Sequence, residues 1–502
     1  RRQRQMCIRD SLYAALAQPT EKLTVSYPVS DGKGAEKRPS FVIGRIARLL
    51  PSISVETESA DKEYRLSAKS TALEYAGEHI GGALWQYFEG QGDAERALAA
   101  MKDASRYTRG HLSRDAVHAL YGGAVTLSAS RMDMARSCHF AYFMRYGLKA
   151  RERTGAGFDA PQIGTFVHDV MEHTLRQAKE CGGLHTLSKD KLHALVRASI
   201  EEYIDRVLPD LCEKSARFRY LFNRLCAAVE RIMDEVSEEL QSSDFEPLAF
   251  ELAFGADGQL PAITIREENG TARVVGKVDR VDGWLHDGKL YLRVVDYKTG
   301  KKSFDLAELR YGLGLQMLLY LFTLKEEGQM LFGGHEIVPA GVLYTPAREP
   351  MLRCARDTEP EKIEKALKKE LRRSGMVLED PAVLQAMEHS ALESPCYLPI
   401  AVKRDGAVTG SLASAEQLGK LSKYVDHILH EITQEVFAGN IDADPYARTP
   451  QQSACTYCEF ASACHFENGC GSDRMEYIKA TKNDEFWQYI DEVNGEGAHE
   501  NG

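Results

Sequence analysis

The stretch GKVDRVDGWLHDGKLYLRVVDYK, residues 276–298, constrains this chain more than any other. Two runs of alternating apolar residues flank an Asp-Gly pair, the turn chemistry of a two-residue β-hairpin. Placing Asp287 and Gly288 in the turn fixes the register: His286 faces Lys289, and the pairing carried back sets Asp279 opposite Asp296. Directly opposed Cβ atoms lie ~5 Å apart, where two like charges destabilise the pair. If the pair is buried the cost is higher still, unless a cation lies between the acids. The period of two also puts Lys298 on the face of Asp296. Two converging carboxylates and an ammonium suit Mg²⁺-assisted phosphodiester hydrolysis. Hard oxygen ligands hold the metal, and the lysine orients the attacking water or helps to deprotonate it. The plainer reading is a hairpin end with exposed acids, but VVDYK is too apolar before its acid for a freely exposed strand.

The flanks supply further candidates. LAELRYGLGLQMLLYLFTL predicts a helix through 305–325 with Gln316 and Tyr320 on one face, polar tips in an otherwise apolar segment. IGTFVHDVMEH places His168 and Glu172 on one helical face, although a lone helical histidine is more often a satisfied core residue. Glu251, in FELAFG, is a weaker candidate and stays outside the set. Helical periodicity is predicted over 63–120, 130–148 (with a Ser cap), 164–178, 190–240, 359–392 and 414–438. Strands are predicted at 22–28, 248–255, 262–267, 272–286, 289–298 and 341–346, which together make an α/β pattern. YGGAVTLSAS, 121–130, is the best domain boundary.

Bulk properties exclude little but exclude it firmly. With 63 basic against 74 acidic residues, net charge −11 offers no global attraction for nucleic acid. Such binding would rest on local patches such as LKARER (148–153) and KTGKK (298–302). No apolar run reaches the ~18 residues of a membrane span. Eleven cysteines without a secretion signal imply a reducing, cytoplasmic setting. The chain opens without Met and reads as part of something longer.

Most cysteines are scattered, but CTYCEFASAC clusters Cys455, Cys458 and Cys464. Three thiols leave a soft-metal site one ligand short, and Cys138, in RSCHFAYF roughly three hundred residues earlier, is one candidate fourth. A zinc site completed by Cys470 or His465 is the other reading of this spacing.

Taken together, GTFVHDVME, GKVDRVDG, VVDYKTGK and QMLLY resemble the RecB-type branch of the PD-(D/E)XK nucleases. The resemblance implies a restriction-endonuclease-like α/β core with helical insertions. It implies Asp279, Asp296 and Lys298 as the core site, His168 as an added ligand to Mg²⁺ with the two acids, and Gln316 and Tyr320 as supporting residues. One cysteine ahead of such a domain and three after it resemble the iron–sulfur staple of AddB, Cas4-type, Dna2-type and exonuclease V nucleases. That implies a [4Fe–4S] cluster on Cys138, Cys455, Cys458 and Cys464, with CHF here where the families have CPF. LYAALAQPTEKL resembles the last helicase motif of UvrD-like motors, with Ala17, Gln18 and Pro19 in place of the usual Thr-Arg-Ala, and no G-x-x-x-x-G-K-[ST] loop occurs. A degenerate motor followed by an iron–sulfur nuclease resembles the AddB family. It implies an AddA-like helicase–nuclease partner in a heterodimer, and single-stranded DNA from unwound duplex ends as substrate. The expected layout is the end of a motor domain (1–50), a helical connection (51–122), the nuclease (123–475) and a tail (476–502). A non-catalytic DNA-binding scaffold and a standalone iron–sulfur exonuclease are the alternatives.

Overall fold

The structure, a computed structural model, describes residues 13–29, 37–53, 65–105, 108–151, 160–255, 258–300, 302–350, 352, 354–355, 358–449 and 451–495. Lys301 of KTGKK, residues 152–153 of LKARER and the first twelve residues lie outside that set. The chain divides into two units, residues 1–107 with 449–453, and 108–448 with 454–502.

In the smaller unit, helices Lys69–Glu78, Ala83–Phe88 and Asp93–Ser105 bury Ala72, Ala76, Trp85, Phe88, Ala94 and Leu98 as a core of their own. The predicted strand at 22–28 does not form: these residues are exposed and belong to no ladder, so local β-propensity had no partner strand to pair with.

The larger unit is built on β1 (Ala124–Leu127), β2 (Glu246–Phe254), β3 (Ile263–Glu267), β4 (Gly270–Val274), β5 (Gly276–His286), β6 (Lys289–Lys298), β7 (Glu336–Pro346), β8 (Ser374–Leu378) and β9 (Leu412–Ala413). Among the described residues β2, β5, β6, β7, β8 and β9 form one sheet in the order β9-β8-β7-β6-β5-β2, and β1, β4 and β3 form a second. The hairpin has the expected register, with His286 opposite Lys289 and Arg280 opposite Val295. Strand β6 pairs parallel with β7. It is buried on both faces, as a strand must be when layers cover both sides.

Those layers come from α1 (Ala129–Ser137), α2 (Ala160–Glu180), α3 (Lys189–Val207), α4 (Ala216–Gln241), α5 (Leu306–Arg310), α6 (Gln316–Glu327) and α7 (Ala415–Phe437). Helix α6 packs on β6 and β7 and against α7, and every residue from Met317 to Leu324 is buried. A helix apolar all round can sit only inside.

Several predicted elements are divided, the helical stretches over 63–120 and 190–240 among them. The helix expected through 305–325 is broken at Tyr311–Leu315, where Gly312 (φ 74°) and Gly314 (φ 68°) adopt left-handed backbone. The Tyr424 hydroxyl of α7 lies 3.0 and 2.8 Å from the carbonyl oxygens of Leu309 and Arg310, which satisfies the end of α5. The helix expected over 359–392 contains β8, because Ser374–Leu378 completes an antiparallel ladder with β7. The strand expected over 272–286 breaks at Val275, sending β4 and β5 to different sheets. The helix expected over 130–148 stops at Cys138, which is extended (φ −174°, ψ 121°). Ser128 takes the N-cap position of α1, but its hydroxyl lies 3.0 Å from that of Ser130 and caps no backbone N–H.

Candidate functional site

Three adjacent strands deliver three acids to one row. Phe250 pairs with Arg280 and Leu252 with Val278, so Glu251 stands opposite Asp279. The hairpin register stops at Arg280↔Val295, one step before Asp279 and Asp296. There Asp279 Oδ2 accepts the Tyr297 N–H at 2.8 Å, in place of a ladder bond. Glu251 itself has φ 50°, rare for a residue with a Cβ.

His168 of α2 closes the row from above. Its Nε2 lies 2.9 Å from the Tyr297 carbonyl oxygen, which can only accept, so Nε2 carries the proton. Nδ1 faces Asp279 Oδ2, 3.3 Å away, and donates to it when the ring is protonated; only the deprotonated Nδ1 could offer a lone pair to a cation. The ligand atoms of His168, Glu251 and Asp279 all lie within 4.8 Å of one another. The carbonyl fixes the ring tautomer as second partners of metal-binding histidines do. Burial alone would lower the His168 pKa, but the adjacent Asp279 carboxylate more than offsets it and the group is raised.

Asp296 is the most enclosed of the acids, at 3% exposure. Burial, then the charge of Asp279, push its carboxyl up to about 6 against the opposing pull of Lys298. Lys298 Nζ lies 2.6 Å from Asp296 Oδ2, and Gln316 Nε2 is 3.4 Å from Oδ1 and 3.2 Å from the Tyr320 hydroxyl. Of the expected metal set, His168 and Asp279 thus come together with Glu251, while Asp296 is engaged by Lys298 and Gln316. Glu251 pairs with Lys277, and burial raises its pKa.

Sequence reasoning named Glu251 only as a weak candidate outside the set and passed over Asp133. A signal for Glu251 existed, since FELAF alternates and can be registered against β5. None existed for Asp133, whose Oδ1 on α1 accepts the Gly314 N–H at 2.9 Å just ahead of Gln316. Beside it, Arg136 Nε donates to the Tyr311 carbonyl at 3.3 Å, so α1 holds both ends of the glycine loop.

The four cysteines of the expected cluster line one cavity of about 570 Å³. Cys138 enters it from the break after α1, and Cys455, Cys458 and Cys464 enter from the C-terminal segment. His465 also lines it; Cys470 is exposed and does not. Burial pushes the Cys138 thiol up to about 12. The segment is also latched by Arg109, which makes a two-pronged ion pair with Asp473 (2.8 and 2.9 Å) and donates to the Cys464 carbonyl at 2.8 Å.

The profile of the PD-(D/E)XK nuclease superfamily matches residues 126–465. The chain belongs to that superfamily. Similar curated proteins are named as the B-type subunit of an ATP-dependent helicase/deoxyribonuclease. Those of Ruminiclostridium cellulolyticum (29% identical over 96% of this chain), Caldanaerobacter subterraneus (30% over 98%) and Acetivibrio thermocellus (31% over 95%) are examples. The chain covers 44% of the length of each of these relatives.

Proposed function

We propose that this chain is the nuclease-bearing part of an AddB-type protein, which pairs with an AddA-like helicase–nuclease. The complex would process DNA double-strand breaks for homologous recombination, in the cytoplasm. In it, this chain cleaves single-stranded DNA by Mg²⁺-dependent phosphodiester hydrolysis. The observation that carries the reading is the row Glu251–Asp279–Asp296 with His168 and Lys298 at its ends. A scaffold has no use for acids crowded so closely that the Asp279 charge helps raise the pKa of Asp296 and Glu251. No described helix is long and apolar enough to cross a membrane.

His168 Nδ1, Glu251 and Asp279 would hold the cation, with Asp296 beside them. When bound, Mg²⁺ polarises a phosphate oxygen and acidifies its water. The chain's own residues do the rest. Lys298, ion-paired with Asp296, donates toward the attacking water or the phosphate. Gln316 donates to the second oxygen of Asp296 and to the Tyr320 hydroxyl, and the two residues border the substrate side. The relatives' names join a helicase to a deoxyribonuclease; Ala17, Gln18 and Pro19 lack the arginine that would steady a transferred phosphoryl group, so we place the motor outside these residues.

The cysteine cavity fits a [4Fe–4S] cluster better than zinc. Tetrahedral zinc with 2.3 Å bonds draws thiolates to about 3.8 Å from one another. Among the described residues no three of the four cysteines bring their sulfurs within 4.8 Å of one another. A cubane, binding each thiolate through a different iron, is the larger occupant.

The test compares wild-type protein with Asp296→Asn on 5′- and 3′-labelled single strands, with Mg²⁺ or with EDTA. Cleavage by wild type in Mg²⁺ alone, absent in the variant while DNA is still bound, is expected. Equal DNA binding without cleavage by either protein would favour the scaffold reading.

A further inference from the structure

Behind the acid row, on the opposite face of the same strands, lies a set of ionised groups that the nuclease reading leaves unused. Alternation along β5 and β6 sends Asp279, Asp296 and Lys298 to one face and Arg280, Asp282, Arg293 and Tyr297 to the other. Arg280, Asp282 and Arg293 have no accessible surface, and Glu239 of α4 and Arg373 ahead of β8 are buried with them. Asp282 sits between Arg280 (Nη2 to Oδ2, 3.0 Å) and Arg293 (Nε to Oδ2, 2.9 Å). Arg280 Nε is also 2.8 Å from Asp282 Oδ1, an ion pair without the alignment of a hydrogen bond. Glu239 accepts from Arg373 at 2.6 and 3.1 Å and faces Arg293 at 3.4 Å.

Three guanidinium groups thus face two carboxylates in a dry core. Such networks are poor stabilisers, because desolvation consumes most of what the pairing returns and apolar side chains of similar volume do as well. What they supply is a fixed position, and here the network ends on the catalytic strand. Arg280 Nη1 donates to the Tyr297 hydroxyl at 2.6 Å. The main chain of Tyr297 is the part of the front site that donates to Asp279 and accepts from His168.

Resting on the nuclease reading of the front face, we infer that Tyr297 and Arg280 are positioning residues for the cation site. The buried network holds the Tyr297 side chain from behind. Its peptide groups then set the Asp279 carboxylate and the His168 tautomer in front. Without the hydroxyl, Arg280 Nη1 loses its partner in a closed core and the strand end is free to shift. The fold persists on its apolar contacts, whereas the spacing of the cation's ligands does not.

The experiment measures Mn²⁺ binding calorimetrically to the anaerobically purified full chain, freed of divalent cations with its cysteine site left as purified, alongside urea melts, for wild type, Tyr297→Phe and Val377→Ala. Val377 is fully buried in β8, two strands from the acids, and supplies a destabilised core without touching the site. Tyr297→Phe is expected to weaken Mn²⁺ binding by about tenfold, the low end for loss of an outer partner of a metal ligand. Val377→Ala is expected to lose stability with an unchanged Mn²⁺ affinity. If Tyr297→Phe does not fold, Arg280→Lys, which keeps the charge but not the reach, is read in its place. Wild-type binding with an equal affinity in Tyr297→Phe would overturn this inference alone. A wild type that binds no Mn²⁺ would remove the cation site and this inference with it.

Discussion

Asp296→Asn, measured without metal, probes the electrostatics of the acid row directly. Its carboxyl is raised from 3.8 to about 6 by burial and by Asp279, with Lys298 only partly compensating. That difference is worth about 3 kcal/mol between the two protonation states, at 1.36 kcal/mol per pKa unit. The side chain is nearly inaccessible, so solvent screening takes little from the figure. Because the folded value lies above the unfolded one, the stabilisation is fully present below about pH 4 and is lost as pH rises through about 6. Asparagine mimics the protonated shape and does not titrate. In EDTA, urea melts should therefore give similar stabilities for the two proteins at pH 4, with the variant pulling ahead by about 3 kcal/mol at pH 8. The same variant should have lost Mg²⁺-dependent cleavage, so stability and activity move in opposite directions. A stability difference that is the same at both pH values, or a wild type that gains on the variant with rising pH, would refute the reasoning.

Lys298→Met removes the group that holds Asp296 down, so cleavage should stop and the metal-free loss of stability should move to higher pH in the same melts. Glu251→Gly removes a Cβ from left-handed backbone and should stabilise the metal-free protein by about 1 kcal/mol while weakening Mn²⁺ binding in calorimetry. Gly312→Ala would place a Cβ 2.8 Å from Arg136 Nε at φ 74°. It should cost about 1–2 kcal/mol in denaturant melts and slow cleavage through the displaced Gln316. Cys138→Ser and Cys458→Ser should both abolish bound iron, measured by metal analysis of anaerobically purified protein; stoichiometric zinc with no iron in wild type would reverse that assignment.

The hairpin was legible because turn chemistry fixes register, and register carries over many residues: Asp287-Gly288 alone aligns the strands from His286↔Lys289 to Arg280↔Val295. The third acid was only faintly legible, because Glu251 lies on a strand joined to the hairpin only through tertiary pairing, and its left-handed backbone interrupts the ladder at that point. Asp133 was invisible for the same reason in stronger form, since its partner Gly314 comes from a loop that helical periodicity had read through. The deepest illegibility lies in KVDRVDGW itself. Acids and an arginine fall on both faces of that strand, a pattern that ordinarily means an exposed edge. Here both faces are covered, and each spends its charge differently. On the front, Asp279 and Asp296 crowd without enough counter-charge, which suits a cation. At the back, Arg280, Arg293 and Arg373 interlock with Asp282 and Glu239, which suits a rigid support. A strand polar on both sides yet buried on both is costly to fold. That cost is consistent with a site whose ligands must be held from behind as well as presented in front.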